Sequence, residues 1–526
     1  LNSTWLISLL LAITWLVICL AGLERQAVAS RPHNAIWPHI LSAGPISGNA
    51  YYVATSGDDN NPGTLSQPWR TVQKAANTLK PGEAVYVRGG VYNERVTINV
   101  SGSASGGYIT FQNYRSERPI LDGTGLTVPA ADTAMMLITN QNYLIIHGFE
   151  IRNYKTATTG RVPVGIYVLG ASHHLQIRHN RIHHIETNAP VDDDLLGADA
   201  HGIAVYGTSA PASINNLLID SNELYNLKLG SSEALVLNGN VELFTVTNNL
   251  VHDNDNIGLD FIGYEGTAPD PTYDRARNGL VSGNTIFNID SLTNPAYDGE
   301  RSAGGIYVDG GTTIIVERNK VYSANIGIEI ASEHQGRATS FITLRNNLIY
   351  NNHIAGIALG GYDTERGSTE NCVIVNNTLF NNDTQEDGNG EILIQFDTQN
   401  NVIKNNIINA NNSQSLLISN AYTQNTGNIV DYNLYFAPAG LNDSEWQWKN
   451  VIYQGFADYK AGSSNDAHSI FTNPKFVNPA SFDLHLQAAS PAINAGENLS
   501  GVGASDVDGE ARVQGGTVDI GADERQ

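Results

Sequence analysis

An asparagine-centred unit recurs through the middle of the chain and constrains the possible folds more than any other feature. In each unit an apolar residue stands three positions before the asparagine, and another follows two positions after it. The units occupy residues 177–183, 219–225, 246–252, 281–287, 316–322, 344–350, 374–380 and 403–409. Their irregular spacing of roughly 25 to 45 residues is typical of a solenoid whose coils carry insertions.

A short alternating segment lies between successive units. Its apolar residues alternate with residues that face the opposite side, which is the period of a β-strand. The segments include 165–168, 202–205, 234–237, 257–263, 304–310, 326–332, 356–359 and 391–394. A strand, an asparagine turn, a second strand and a variable loop, repeated along the chain, predict an all-β fold, a right-handed parallel β-helix.

The repeat also predicts two columns of stacked side chains. The recurrent asparagines should form a hydrogen-bonded ladder inside the turn, because equivalent residues of successive coils lie about 4.8 Å apart. Aromatic rings should stack beside this ladder. The expected aromatic column comprises Tyr225, His252, Phe287, Tyr322, Tyr350 and Phe380.

The N-terminal end of the chain is apolar. Residues 5–23 are almost wholly apolar, and Ala27 and Ala29 follow at a spacing that suits signal peptidase. We expect residues 1–29 to be a signal peptide, or alternatively a membrane anchor, because the run is long enough to span a bilayer. The protein is therefore expected outside the cell or at the cell surface.

The remaining boundaries follow from changes in composition. Residues 30–48 contain prolines and are interpreted as a linker, 49–435 as the β-helix with its N-terminal cap, and 436–526 as a C-terminal cap region. Within the last region, residues 446–460 are expected to form a loop and a helix-like excursion.

A short helix is expected near the start of the β-helix. Val72, Ala75, Ala76 and Leu79 have helical spacing, and Pro81 and Gly82 follow as a stop signal. Such a helix could cover the open end of the sheet stack, which would otherwise expose unpaired backbone groups.

The charge and cysteine content exclude some functions. The formal net charge is -23, and nucleic-acid binding needs a basic face, so we expect no nucleic-acid partner. The two cysteines are Cys19, in the N-terminal apolar run, and Cys372. A chain processed after residue 29 would therefore contain no internal disulfide. We also expect a monomer, because a solenoid with both ends capped has no open end to pair with another copy.

Acidic side chains concentrate on three consecutive segments. Strand alternation places Asp260, Tyr307, Asp309 and Glu329 on the outward face of residues 257–263, 304–310 and 326–332. If these strands lie side by side, the residues form an acidic patch that contains a tyrosine. A single outward acid on a solenoid is most often solvated surface, but clustering on three coils favours a functional site.

Residues near the patch could bind a substrate. His201 and Glu233 stand just before their strands, and the longest loops flank the same coils. We expect contacts with substrate from His201, Glu333, Tyr264, Arg275 and Arg301. Aromatic and polar walls around an acidic floor suit a carbohydrate groove, because rings pack on sugars and polar groups bind hydroxyls.

The spacing of two carboxylates suggests glycoside hydrolysis. Asp309 and Glu329 are one coil and two residues apart, so roughly 8 Å should separate their backbones. A carboxylate pair cleaves a glycosidic bond when one member donates a proton and the other acts as base or nucleophile. We predict Asp309 and Glu329 as this pair, with Asp260 assisting and Glu333 as a substitute; this chemistry needs no cofactor.

The chain resembles the pectin-lyase-like superfamily of parallel β-helix proteins. The resemblance rests on the repeated G-I-x-V and N-N-x-I units and on the opening segments 51–64 and 81–92, and it covers residues from about 51 to 435. Similar openings occur in polysaccharide lyase family 9 and in several β-helical glycoside hydrolases. The tail segments around residues 490–524 resemble a C-terminal cap of bacterial extracellular β-helices.

The resemblance to family 9 implies a competing activity, calcium-dependent β-elimination on a uronate polymer. Residues 256–260 stand where that family has calcium-binding aspartates, and Glu233 stands where it has an aspartate on the preceding coil. Asn256 and Ile257 replace two ligands, and Tyr307 stands in place of the lysine base. A calcium site from Glu233, Asp255 and Asp260 remains an alternative.

These features predict a secreted enzyme that acts on a polysaccharide or oligosaccharide. Carboxylate-pair hydrolysis is the favoured reaction, and calcium-dependent pectate-like lyase activity is the alternative. A non-catalytic glycan-binding surface solenoid is the third possibility, because fold alone does not determine function.

Overall fold

A computed structural model of the protein describes residues 48–130, 133–191, 197–411 and 416–526. The predicted signal peptide or anchor, Cys19 and nearly all of the linker lie outside the described residues. Within the described part of the chain, no helix is both long and apolar enough to cross a membrane.

The β-helix consists of coils that each contribute a strand to three sheets, called sheet 1, sheet 2 and sheet 3 in chain order within a coil. Sheet 1 contains Val96–Ile98, Thr133–Thr139, Pro163–Leu169, His201–Gly207, Leu235–Gly239, Leu259–Ile262, Gly304–Asp309, Ile326–Ala331, Ala355–Leu359, Ile392–Ile394, Leu416–Asn420, Glu445–Trp448 and Val451–Gln454. Sheet 3 contains Gly90–Tyr92, Pro119–Asp122, Glu150–Thr156, Arg181–Thr187, Glu223–Tyr225, Leu250–Asn254, Thr285–Ile289, Lys320–Ala324, Leu348–Tyr350, Thr378–Phe380, Ile407–Asn409, Leu434–Phe436 and Ile470–Phe471.

Sheet 2 is broader, because three short strands extend its edge beside the middle coils. Its main path contains Ala50–Val53, Ala84–Val87, Ile109–Asn113, Leu144–His147, His173–Arg178, Ile214–Asp220, Val241–Thr247, Arg277–Ser282, Thr312–Glu317, Thr343–Arg345, Val373–Val375, Val402–Lys404 and Ile429–Asp431. The extra strands are Ala338–Ser340, Ser368–Glu370 and Thr398–Gln399. Neighbouring coils pair in parallel throughout, as the repeat predicts.

The predicted asparagine ladder is present and continuous. Asn249 shows a typical rung: its Oδ1 accepts from the backbone N–H and the side-chain amide of Asn222 at 2.9 and 3.0 Å, and its Nδ2 donates to the Asn284 Oδ1 at 3.0 Å. The ladder comprises Asn180, Asn222, Asn249, Asn284, Asn319, Asn347, Asn377, Asn406 and Asn433. It satisfies buried backbone groups at each turn and ties every coil to the next.

The aromatic column is confirmed over most of its predicted length. Its rings, which include His183 at the start and then Tyr225, His252, Phe287, Tyr322 and Tyr350, stack with centroids 4.7–5.3 Å apart. The placement of Phe380 next in the column was wrong. Phe482 from the C-terminal region stacks on Tyr350 instead, and Phe380 packs edge-on against Phe476.

Elements outside the coils are few among the described residues. The expected helix is present as Val72–Ala76, with Val72, Ala75 and Ala76 buried. The predicted loop at 446–460 was only partly correct, since Glu445–Trp448 and Val451–Gln454 form an antiparallel hairpin before the helix Phe456–Ser463. The remaining elements are 3₁₀ turns at Ser291–Thr293, Pro295–Tyr297 and Pro479–Ser481, and the strand pair Phe476–Asn478 and Asp483–Leu486.

We predict that Asn284→Ala destabilises the protein by about 2–4 kcal/mol, because it leaves buried amide and carbonyl groups of the neighbouring rungs without partners. Chemical denaturation of the folded chain would measure this loss. Asn60→Ala is the matched control, since Asn60 is exposed and its side chain bonds only to Asp58. Equal destabilisation by both substitutions would contradict a structural role of the ladder.

Candidate active site

The strand register brings the predicted acidic residues together. On sheet 1, Asp260 lies opposite Tyr307, and Tyr307 lies opposite Glu329 on the next coil. Asp309 follows two residues after Tyr307 and lies opposite Ala331. The four predicted catalytic residues therefore share one outward face, and Asp309 and Glu329 are diagonal neighbours as expected.

Glycines allow this face to form. A Cβ atom added to Gly305 would lie 2.5 Å from the Val321 Cγ1, and one added to Gly327 would lie 2.6 Å from the Ile349 Cγ2. Each strand can therefore begin in close contact with the corner formed by sheet 3. The following isoleucine faces the core, and the next residue, Tyr307 or Glu329, faces outward.

The acidic patch is buried rather than solvated. Asp260 is 2% exposed, Asp309 3%, Tyr307 4% and Glu329 6%. Loops beyond the ends of the strands cover the patch, and one of them brings the half-buried Tyr297 close to the acidic residues. An isolated surface acid would not be covered in this way.

The position of Tyr297 shows how close the covering loop comes. Burial raises the pKa of the Tyr297 hydroxyl well above its ordinary value. The carboxylates of Glu233, Glu333 and Asp260 raise this pKa further, so the hydroxyl lies near the acidic residues. The 3₁₀ turn Pro295–Tyr297 therefore forms part of the wall of the site.

Hydrogen bonds distinguish the buried carboxylates from one another. The Glu333 backbone N–H donates to the Asp309 Oδ1 at 2.8 Å, and the Tyr307 hydroxyl donates to the Glu333 Oε1 at 3.5 Å. Asp260 accepts from the Phe261 backbone N–H at 2.7 Å. Within the described residues, the Glu329 carboxylate has neither a hydrogen-bond donor nor an ion-pair partner.

Burial and mutual repulsion raise the pKa values of these carboxylates. Burial raises the pKa of Glu329 to about 8, and the charge of Glu333 contributes. The pKa of Asp309 rises first through burial and then through Glu333, and that of Asp260 through burial and then Glu233. The cluster therefore holds fewer negative charges than carboxyl groups at neutral pH.

Glu333 differs because it retains access to solvent. The residue is exposed, yet the surrounding protein removes part of its hydration and raises its pKa, with a further rise from Glu265. Arg366 opposes this rise by stabilising the ionised form. Glu333 thus lies at the rim, where the buried patch meets water.

Glu233 and His201 extend the patch toward the preceding coils. The His201 Nδ1 lies 3.5 Å from the Glu233 Oε2 and 3.2 Å from the Glu233 carbonyl oxygen, and its Nε2 lies 3.4 Å from the Tyr206 hydroxyl. Burial raises the pKa of Glu233 well above its usual range, with contributions from Glu265 and Asp199.

Two residues that lie beside Asp309, Glu265 and His334, were not predicted from the sequence. Ligand atoms of Glu265, Asp309 and His334 all lie within 4.8 Å of one another, and the Asn238 Nδ2 donates to the Glu265 Oε2 at 2.6 Å. Glu265 and His334 are each the third residue after a sheet 1 strand, which ends at Ile262 in one case and at Ala331 in the other. This shared position after the strand was the sequence feature that could have identified them.

Three residues predicted to contact substrate make structural contacts instead. The Arg275 guanidinium donates to the Ala338 carbonyl oxygen at 3.1 Å and packs over the Tyr264 ring, whose hydroxyl donates to the same carbonyl. Arg301 forms an ion pair with Asp290 at 3.1 Å. None of the three forms an ion pair or hydrogen bond with the described carboxylates of the patch.

Comparisons with known proteins agree with this architecture. A model described as "Pel9A-like, right handed beta helix region" matches residues 51–204, and one described as "Right handed beta helix region" matches residues 164–379. The uncharacterized protein YwoF of Bacillus subtilis is 40% identical over 478 residues, which cover 91% of this chain and 98% of that protein. The chain belongs to the pectin-lyase-like superfamily of right-handed parallel β-helix proteins.

More distant relatives have named activities or ligands. Pectate lyase PEL9 of Emericella nidulans is 27% identical over 208 residues, which cover 39% of this chain and 48% of that enzyme. The solved structure of XylC with xylose superposes with a TM-score of 0.50 at 12% identity, covering 90% of this chain and 98% of that one. At that identity the superposition supports the fold alone.

The calcium site implied by the resemblance to family 9 lyases does not fit the residues of this member of the superfamily. Glu233 and Asp260 are neighbours, since the charge of Glu233 raises the pKa of Asp260. Asp255 instead accepts from the Leu229 backbone N–H at 2.7 Å and lines a cavity of about 810 Å³. Burial raises the Asp255 pKa to about 6, and the three proposed ligands do not converge.

We predict that Glu329→Gln raises the free energy of unfolding at pH 9 relative to the wild type, but has little such effect at pH 5. The folded-state pKa of about 8 exceeds the ordinary value of 4.5, so the fold loses stability as pH rises between these values. A neutral glutamine removes this loss, which is on the order of several kcal/mol. Unfolding curves at the two pH values measure it.

Glu117→Gln is the control, because the pKa of Glu117 is lowered whereas that of Glu329 is raised. The Arg88 side chain hydrogen-bonds to Glu117 and lowers its pKa, so its ionised form stabilises the fold. This variant should be destabilised to the same extent at pH 5 and pH 9. A Glu329→Gln variant with an equally flat profile would contradict the raised pKa.

Proposed function

We propose that the protein is an exported carbohydrate-active enzyme that hydrolyses glycosidic bonds of a polysaccharide. Glu329 is the proton donor, and Asp309 is the carboxylate that acts as base or nucleophile. The observation that carries the proposal is this pair of buried acids on adjacent coils of sheet 1, with different hydrogen-bond environments.

The environment of Glu329 suits a general acid. With a pKa of about 8 it is mostly protonated at neutral pH, and it has no donor that would favour its ionised form. A general acid works best when its pKa lies near the working pH. Glu329 can therefore protonate the glycosidic oxygen as the bond to the departing sugar breaks.

Asp309 suits the complementary role. Burial and the charge of Glu333 raise the pKa of Asp309, but the backbone N–H of Glu333 donates to its carboxylate and offsets part of this rise by favouring the ionised form. Asp309 can then either accept a proton from the attacking water or attack the anomeric carbon directly. In both cases water is consumed, one product gains a reducing end, and the other gains a hydroxyl group.

Asp260 and Glu333 assist the pair by their positions. Asp260 lies beside Tyr307 of the next coil, where its charge can stabilise the positive charge that develops on the sugar ring. Glu333 bonds to the Tyr307 hydroxyl at the solvent-exposed rim and is the substitute carboxylate. Tyr307 and His201 complete the surface against which the sugar packs.

Lyase activity is the second candidate, and the similarity to pectate lyase PEL9 favours it. Tyr307 stands where the lyase interpretation needs a base. Burial and the neighbouring acids raise its pKa well above the ordinary value, which makes the phenolate form scarce. The lyase interpretation therefore lacks an effective base at Tyr307, and hydrolysis is the better supported reaction.

We predict that Glu329→Gln and Asp309→Asn each lower glycan cleavage by on the order of 10³-fold. The protein would be incubated with neutral and uronate polysaccharides, and the formation of new reducing ends would be measured. Absorbance at about 235 nm would be recorded as well, because the conjugated double bond of an unsaturated uronate absorbs there. Reducing ends without this absorbance support hydrolysis. Absorbance that is lost on chelation would instead identify a calcium-dependent lyase.

Glu391→Gln is the matched control for these variants. Burial raises the Glu391 pKa to about 8, as for Glu329, but this carboxylate bonds to Asn382 in a turn and not to the acidic patch. The folded control should keep wild-type activity. Full activity of the Glu329→Gln variant would exclude Glu329 as the acid, and glycan retention without any product would indicate a binding solenoid.

We predict that kcat/KM falls as the pH rises through about 8, because Glu329 loses the proton that it donates. The residual activity of Glu329→Gln should lack this decline. Initial rates measured across pH 5–10 with one cleaved glycan would test the assignment. A decline that persists unchanged in the variant would assign the titration to another group.

A further inference from the structure

The acidic patch contains many carboxylates and no paired lysine or arginine. Its carboxylates are those of Glu233, Asp260, Glu265, Asp309, Glu329 and Glu333. Among the described residues, Glu233 is the one of these carboxylates that lies within ion-pair distance of a basic side chain, that of His201. Among the described residues, a sugar that enters therefore meets mainly negative or neutral oxygen atoms, and the guanidinium at the rim is that of Arg366, which donates to the Glu333 carbonyl oxygen at 3.5 Å.

The arginines near the rim are held by other groups. Arg275 donates to backbone carbonyl oxygens and packs on Tyr264. Arg366 lies over the Tyr362 ring and 3.6 Å from the Asp363 carboxylate. Neither arginine is directed at the Asp260–Tyr307–Glu329 row, so neither supplies the bidentate carboxylate contact that an arginine provides in uronate recognition.

An unsatisfied acceptor indicates what the ligand must offer. Asn238 is 1% exposed, its Nδ2 donates to Glu265, and its Oδ1 has no hydrogen-bond partner. Glu329 likewise receives no hydrogen bond from the part of the chain that the structure describes. Buried acceptors without partners are costly, so a ligand that fills this space must supply hydrogen-bond donors.

Calcium bridging is the usual way for an acidic site to bind an acidic sugar, and the donor sets here do not support it. Asp255 does not join Glu233 and Asp260. The compact trio of Glu265, Asp309 and His334 includes an imidazole, whereas Ca²⁺ prefers oxygen ligands.

We propose that the sugar residue bound over Asp260, Tyr307 and Glu329 carries no carboxylate and is a neutral, hydroxyl-rich sugar. This proposal rests on the proposed function and names its substrate class. Hydroxyl donors satisfy Asn238 and the carboxylates, whereas a uronate would place another negative charge among buried acids. The substrate class thus differs from the pectate named for two relatives.

Matched polymer pairs test this preference. Polygalacturonate, alginate and glucuronoxylan would each be compared with its carboxyl-reduced form, in which every uronate becomes the corresponding neutral sugar. Affinity electrophoresis of the full chain with Glu329→Gln would report binding without cleavage, and glutamine preserves the neutral state assigned to Glu329. Neutral xylan, galactan and β-glucan would widen the panel.

We expect at least one neutral polymer to bind, and a carboxyl-reduced polymer to bind at least tenfold more tightly than its uronate parent at low salt. Tighter binding of a uronate parent, especially if it requires added Ca²⁺, would overturn the proposal. Failure of every neutral polymer to bind would overturn it as well. Binding without cleavage by the wild type would instead refute only the hydrolase function.

A charge variant separates electrostatic selection from shape. Glu233→Gln combined with Asp260→Asn removes two carboxylates and changes the side-chain volumes little. The ratio of neutral to uronate affinity should fall severalfold toward one. An unchanged ratio in the folded variant would show that the acids do not exclude uronates, and Glu391→Gln serves as the control that should keep the wild-type ratio.

Discussion

The asparagine ladder is the interaction on which the rest of the structure depends. Each rung bonds to the next through both its backbone N–H and its side-chain amide, as Asn249 does with Asn284. The coils are therefore held in fixed register at the spacing of parallel strands, about 4.8 Å. Residues that are far apart in sequence, such as Asp260, Tyr307 and Glu329, become neighbours because each occupies the same position on its coil.

This dependence explains which features the sequence could predict. The strand period and the repeated asparagines determine the fold and the outward row of Asp260, Tyr307 and Glu329, because both follow from regular spacing. Loop contacts have no such period. The pairing of Arg301 with Asp290 and the separation of Asp255 from the acidic patch depend on individual loop conformations, and the sequence therefore did not predict them.

Burial of the acidic patch costs the fold stability. Asp260 and Asp309 are removed from water and lie near other acids, and both effects disfavour ionisation. A purely structural surface would gain stability from neutral or paired side chains at these positions. Retention of such groups is typical of functional sites, where activity requires an arrangement that stability alone does not favour.

The contrast between Glu329 and Glu391 separates the proposed catalytic acid from a structural buried acid. Both carboxyl groups are fully enclosed, and burial raises both pKa values to about 8. Glu391 accepts hydrogen bonds from the backbone N–H and side-chain amide of Asn382 at 2.9 and 2.6 Å, so the fold itself satisfies its carboxylate. Glu329 has no donor from the described protein, and it faces the same side as Asp260 and Asp309. This difference is why the proposed function assigns the hydrogen-bonding capacity of Glu329 to a bound sugar.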